Sequence, residues 1–153
     1  MRRKTKDNIL MIFLGIAFCL NIVAINLFPP NIEELAVVGW IIFGVGAFLY
    51  VLSVLALRKR GVSNIVDSGI YGIVRHPMYL GGMTMFFSHV FLGQNLIVAV
   101  GTIVAIVCCY LIILSDEEQN LEKFGNDYKR YMEKVPRIDF VVGIIRLLRR
   151  RKS

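Results

Sequence analysis

Histidine and cysteine are scarce in this chain of 153 residues, which contains two histidines and three cysteines. Cys19, Cys108 and Cys109 all lie inside long apolar segments, and no histidine accompanies them at the spacing of metal ligands. Cysteines in such surroundings ordinarily serve as small buried apolar side chains. We therefore expect no metal site in this protein.

Charged residues are absent from three long segments, 9–28, 35–57 and 96–114. Each reaches or nearly reaches the roughly 20 apolar residues that an α-helix needs to cross a bilayer. A fourth apolar segment, 78–92, is shorter, and we expect it to begin in the membrane interface or to be partly re-entrant. The chain is 56% hydrophobic, which is typical of a bundle of membrane helices.

The fold class predicted from these segments is all-α. We expect a polytopic membrane bundle with about four transmembrane helices, forming a single domain over residues 1–153. Residues 115–153 should form short cytoplasmic helices and an interfacial C-terminal helix, because apolar and basic residues alternate from Asp139 onward. Between them, Gly125 is typical of a helix end and Asn126 of the cap of the next helix.

Lysine and arginine are missing from alternate loops. All 18 lie before residue 9, between 58 and 75, or after 114, whereas loops 29–34 and 93–95 contain none. The positive-inside rule then predicts a multi-pass protein with both termini and the 58–76 loop in the cytoplasm. This topology accounts for the net charge of +7, so we expect membrane lipids as partners and no nucleic acid.

The segment 71–82, YGIVRHPMYLGG, places polar and aromatic residues at the start of the third apolar segment. Pro77 suits the first position of a helix, and the free N–H groups that follow it suit a carboxylate or a phosphate. If the third and fourth segments form a hairpin, Pro77 comes close to Glu117 in the acidic cluster 116–118. A ligand with both a carboxylate and an ammonium group would fit between them. Alternatively, the aromatics are an interfacial belt and the acids a solvated run.

Two motifs carry a family resemblance. Residues 75–79, RHPMY, resemble the R-H-P-x-Y signature of the integral-membrane methyltransferases, which include isoprenylcysteine carboxyl methyltransferases and phospholipid methyltransferases. Residues 117–137, from Glu-Glu to Val-Pro-Arg, are similar to the second block of the same group. The two blocks occur in the family's order, separated by one helical hairpin.

The resemblance implies S-adenosyl-L-methionine as methyl donor, bound on the cytoplasmic side. It implies a catalytic site whose candidate residues are Arg75, His76 and Glu117. By position, the expected cofactor contacts are Ser63, Asn64, Ile65, Val66, Tyr71, His76, Pro77, Met78, Tyr79 and Glu117.

The acceptor implied by the resemblance is a lipid-like, prenylated or otherwise hydrophobic molecule. The prenylcysteine enzymes have an arginine where this chain has Ile113, one helical turn before the glutamates. Because isoleucine cannot pair with a carboxylate, the sequence disfavours a prenylcysteine acceptor. Two other functions remain open: a non-catalytic scaffold or partner subunit with the same architecture, and a reductase with a nicotinamide pocket and additional spans.

Overall fold

The protein is built from helices. The computed structural model describes residues 2–60 and 64–150, and within these ranges it contains no strand. The all-α prediction is confirmed. In chain order, the elements are α1 (Arg2–Leu27), α2 (Glu33–Arg60), a 3-10 turn (Gly69–Gly72), α3 (Pro77–Gly93), α4 (Leu96–Phe124), α5 (Asn126–Lys134) and α6 (Phe140–Arg150).

Three of the described helices, α1, α2 and α4, are long and apolar enough to cross a membrane. The fourth, α3, has 17 residues and would be about 25 Å long, which is shorter than the roughly 30 Å hydrocarbon core. The prediction that its segment is the shortest of four is therefore confirmed. Helix α3 also begins at Pro77, as expected from the missing N–H of proline.

Helix α4 is longer than the sequence pattern predicted. It continues past residue 114 to Phe124, because residues 115–124 contain many good helix formers and Gly125 is the first residue that favours a stop. Gly125 has φ of 55°, so it turns the chain sharply into α5. It also occupies the N-cap position of α5, so the prediction that Asn126 caps this helix is wrong.

The bundle core is an α3–α4 hairpin flanked by α2, which packs on α3, and by α1, which packs on α4. Helices α2 and α3 approach backbone to backbone at Gly46 and Gly81. A Cβ atom added to Gly81 would lie 2.7 Å from the carbonyl oxygen of Gly46. Close approach through small residues is a general mode of helix packing in membranes.

Polar side chains link α1, α3 and α4 inside the bundle. The buried amide of Asn21 donates to the hydroxyl of Thr102 at 3.1 Å, and the amide nitrogen lies 3.3 Å from Nδ1 of His89. Thr102 donates in turn to the carbonyl of Phe86. His89 therefore has a hydrogen-bonding partner inside the bundle, and the group joins three helices.

The two ends of the bundle differ in charge. One end, which we call the basic end, carries Lys4, Lys59, the loop 64–76 and helices α5 and α6. At the opposite end, the side chain of Gln94 exchanges hydrogen bonds with the backbone N–H and carbonyl of Ile32. The side of the membrane that each end faces stays a prediction from the positive-inside rule, as does the single domain over 1–153.

We predict that Gly81→Ala lowers the thermal stability of the detergent-purified protein, because the new methyl group would force α2 and α3 apart. Gly82→Ala is the matched control, since a Cβ at Gly82 meets nothing within 4 Å. That control should be neutral or slightly stabilising, as alanine favours helix over glycine by about 1 kcal/mol. Equal melting temperatures for the two variants would contradict the close approach.

Candidate functional site

The buried carboxylate of Glu117 on α4 joins the two sequence motifs. Its Oε1 accepts hydrogen bonds from Nε and Nη2 of Arg75, at 3.1 and 2.7 Å. Its Oε2 accepts from Nε and Nη2 of Arg137, at 3.0 and 2.7 Å. Nε2 of His76 lies 3.3 Å from Oε1. The bonds from the arginines are short because both partners are charged. They are largely shielded from water because Glu117 is only 4% exposed.

Backbone hydrogen bonds hold the same segments together. The N–H of Arg75 donates to the carbonyl of Pro136 at 3.0 Å, and the N–H of His76 donates to the carbonyl of Arg137 at 3.1 Å. Nη1 of Arg75 also donates to the carbonyls of Met132 and Val135. Residues 135–137 therefore run alongside 75–76, and the C-terminal part of the second motif is positioned by the first.

Helix α5 supports this arrangement with two tyrosines. Tyr128 and Tyr131 are both buried and their ring centroids lie 5.7 Å apart, so they share one face of α5. The hydroxyl of Tyr131 donates to the carbonyl of Tyr71 at 2.7 Å. Burial raises the pKa of Tyr71 to about 12 and raises that of Tyr131 as well, so both phenols stay protonated at neutral pH.

A cavity of about 290 Å³ opens beside this cluster at the basic end. Its wall combines the loop 64–66, the start of α3, the last three turns of α4 and the face of α5. The lining residues are Leu57, Asn64, Ile65, Val66, Tyr71, Arg75, His76, Met78, Tyr79, Asp116, Gln119, Asn120, Phe124, Tyr128 and Tyr131.

Most of the candidate residues from the sequence come together at this cavity. They are Arg75, Asn64, Ile65, Val66, Tyr71, His76, Met78 and Tyr79. Pro77 and Glu117 lie next to it without lining it, and Ser63 lies outside the described residues. Whether these residues bind a cofactor stays a prediction.

Sequence reasoning named the acidic cluster 116–118 but singled out Glu117, whereas the acid that lines the cavity is Asp116. Successive residues of a helix point about 100° apart, so Asp116 lines the cavity while Glu117 turns toward the arginines. Oδ2 of Asp116 accepts a 2.7 Å hydrogen bond from the hydroxyl of Tyr79. Gln119 and Asn120 line the same wall one turn further on. The i, i+3, i+4 spacing of these three residues places them on one face of a helix, and that spacing is visible in the sequence. Using it required knowing that α4 continues past residue 114.

The charges around Glu117 do not cancel. One carboxylate faces two guanidinium groups, and its hydrogen bonds raise the pKa of Arg137 above the usual value for arginine. Arg137 therefore stays charged. Among the described residues, no group of three or more His, Cys, Asp or Glu could hold a metal ion.

Comparison with known proteins gives one family match. The model of the family described as phospholipid methyltransferase matches residues 34–127, which include α2, α3, α4 and the start of α5. The matched region contains the first motif and Glu117, and it ends before Arg137. Neither the curated proteins nor the solved structures gave a significant match.

We predict that Glu117→Gln destabilises the protein by about 3 kcal/mol, because removing one partner of a buried ion pair leaves the remaining charges uncompensated. Here two arginines would lose their shared carboxylate. Thermal unfolding in detergent measures the effect. Glu118→Gln, at the exposed neighbouring position, is the control and should melt close to the wild type. If Glu117→Gln melts with the control, the carboxylate does not hold the two motifs together.

Proposed function

The chain belongs to the phospholipid methyltransferase family, and we propose that it transfers the methyl group of S-adenosyl-L-methionine to the amine of a phospholipid headgroup. The observation that carries this proposal is the cavity at the basic end, which both motifs line together. The positive-inside rule supports a cytoplasmic location for this end. The water-soluble donor would then enter from the cytoplasm and the acceptor from the bilayer.

The chemistry of the cavity suits the donor. Its volume of about 290 Å³ is just below the usual range for small-molecule sites, roughly 300–1,000 Å³. The rings of Tyr71 and Tyr79 and the side chain of Met78 offer apolar faces, and Asn64 and Gln119 offer amide groups. Such a mixture suits a nucleoside joined to a charged amino acid.

The start of α3 supports a site for the donor's carboxylate. Pro77 has no N–H, and the N–H of Leu80 bonds to the carbonyl of His76. The N–H groups of Met78 and Tyr79 have no hydrogen-bond acceptor among the described residues, and both residues line the cavity. Free N–H groups at the positive end of a helix dipole favour an anion.

Asp116 is our proposed partner for the donor's positive charge. Tyr79 occupies one of its carboxylate oxygens, which leaves the other available to an ammonium group in the cavity. The faces of Tyr71 and Tyr79 would add cation–π attraction for the sulfonium. We assign Glu117, by contrast, to positioning Arg75, His76 and Arg137, because its two oxygens already accept five contacts from these residues.

When bound, S-adenosyl-L-methionine supplies a methyl group that is already activated by a positively charged sulfur. The protein's main task is then to align the two reactants and to exclude water. An amine that arrives as an ammonium must also lose a proton. The carboxylate of Glu117 accepts hydrogen bonds, so Nε2 of His76 is assigned as the donor to it, and Nδ1 is the ring nitrogen left to accept. We propose that His76 takes the proton at Nδ1.

The position of Ile113 favours a phospholipid over a prenylcysteine acceptor. Ile113 is fully buried in α4, so the position that holds an arginine in the prenylcysteine enzymes offers neither a cation nor access here.

We predict that the purified wild-type protein binds S-adenosylhomocysteine in a calorimetric titration and does not bind NADPH. Asp116→Asn should weaken S-adenosylhomocysteine binding about tenfold, as expected for losing one hydrogen bond to a charged group. The control is Glu118→Gln, which lies on the same helix and removes the same charge. It should bind S-adenosylhomocysteine like the wild type.

The titration separates the proposal from its alternatives. Absence of S-adenosylhomocysteine binding by the folded wild type would contradict the proposed function and favour a scaffold, and binding of NADPH alone would favour a reductase. Unchanged affinity in Asp116→Asn would remove Asp116 from the donor site.

A further inference from the structure

The two arginines that share Glu117 differ in their surroundings. Arg75 is buried, and each of its three guanidinium nitrogens donates to Glu117 or to a backbone carbonyl. The side chain of Arg137 is 32% exposed. Beyond Glu117, its one partner among the described residues is the hydroxyl of Tyr110, which Nη1 reaches at 2.8 Å.

Arg137 retains capacity to bind an anion. Of the five N–H groups of a guanidinium, three are used, one on each nitrogen. One N–H on Nη1 and one on Nη2 remain on this partly exposed, charged side chain. Two N–H groups of this kind match the paired oxygens of a phosphate or a carboxylate.

The position of Tyr110 connects Arg137 to the membrane. Tyr110 lies on the outer face of α4, together with Val107 and Ile103, which are exposed on the same side at successive helical turns. In a membrane-spanning helix such a strip faces lipid. The strip ends at Tyr110, next to Arg137, so a lipid whose chains lie along Ile103 and Val107 would bring its headgroup to the guanidinium.

Glu117 separates this position from the donor cavity. Arg75 and His76, which bind its Oε1, line the cavity, whereas Arg137 binds Oε2 and does not line it. Arg137 therefore lies across the carboxylate from the cavity, on the side of α4 that carries Tyr110.

We propose that Arg137 and Tyr110 form a subsite for the phosphodiester group of a phospholipid, with the acyl chains against Ile103 and Val107. This inference rests on the proposed function in one respect only, namely that the bound phospholipid is the methyl acceptor. The anion site itself follows from the charge, the exposure and the free N–H groups of Arg137. A lipid carboxylate shares the required chemistry; we favour the phosphodiester because the family match is to phospholipid methyltransferases.

Native mass spectrometry of the full chain in detergent tests the subsite by direct binding. The protein is titrated with phosphatidylethanolamine, with diacylglycerol of the same chains, which lacks the phosphate, and with oleate, which carries a carboxylate. Arg137→Gln should weaken phosphatidylethanolamine binding at least about tenfold, since hydrogen bonds to a charged group are lost, and leave diacylglycerol binding unchanged. The matched control is Arg130→Gln, which removes one exposed charge from α5 and should bind like the wild type.

Each result has one consequence. The subsite is overturned if Arg137→Gln binds phosphatidylethanolamine as tightly as the wild type does. It is also overturned if Arg130→Gln weakens this binding as much as Arg137→Gln does. If oleate binds more tightly than phosphatidylethanolamine, and Arg137→Gln weakens that binding, the phosphodiester assignment is overturned. If Arg137→Gln does not fold, Arg137→Lys and Tyr110→Phe take its place. Lysine keeps the positive charge but loses the paired N–H groups of the guanidinium, and phenylalanine keeps the ring but loses the hydroxyl. Wild-type affinity for phosphatidylethanolamine in both variants overturns the proposal.

A parallel titration with S-adenosylhomocysteine keeps the two proposals distinguishable. A wild type that binds phosphatidylethanolamine through Arg137 but does not bind S-adenosylhomocysteine would support the subsite and contradict the proposed function. The reverse result would leave the proposed function standing and overturn the subsite.

Discussion

The site depends on one carboxylate shared by two arginines. Glu117 comes from the last turns of α4, Arg75 from the segment before α3, and Arg137 from the segment after α5. A buried charge is costly unless it is paired and hydrogen-bonded, and here the two arginine partners come from two separate segments of the chain. The ion pairs therefore link the α3–α4 hairpin and the C-terminal segment beside the cavity.

The rotation of α4 divides the basic end into two chemical environments. Asp116, Gln119 and Asn120 face the cavity, whereas Glu117 faces the arginines and Tyr110 faces outward. A polar methyl donor and a lipid acceptor need such separate approaches, one from water and one from the bilayer. Because α4 continues past the apolar segment as an unbroken helix, its two faces keep a fixed angle to each other.

The sequence predicted those features that have a local or periodic cause. Pro77 marked the start of α3, and Gly125 marked the end of a helix, although the sequence pattern did not show that this helix continues α4. The pairing of Arg137 with Glu117 and the backbone bonds between 75–76 and 136–137 have no periodic signal, since they depend on how the tail returns to the bundle. Asp116 was not singled out from the acidic cluster 116–118 for a related reason, because which of two adjacent acids faces a cavity depends on the rotation of the helix.

Methyl transfer to a defined lipid tests the central claim most directly. The purified chain would be incubated with S-adenosyl-L-methionine carrying a labelled methyl group and with phosphatidylethanolamine in mixed micelles, and the lipid products would be separated and analysed by mass spectrometry. We expect the label on the headgroup nitrogen, and its loss when His76 is replaced by alanine. A folded protein that binds both molecules and leaves the phospholipid unlabelled would contradict the account.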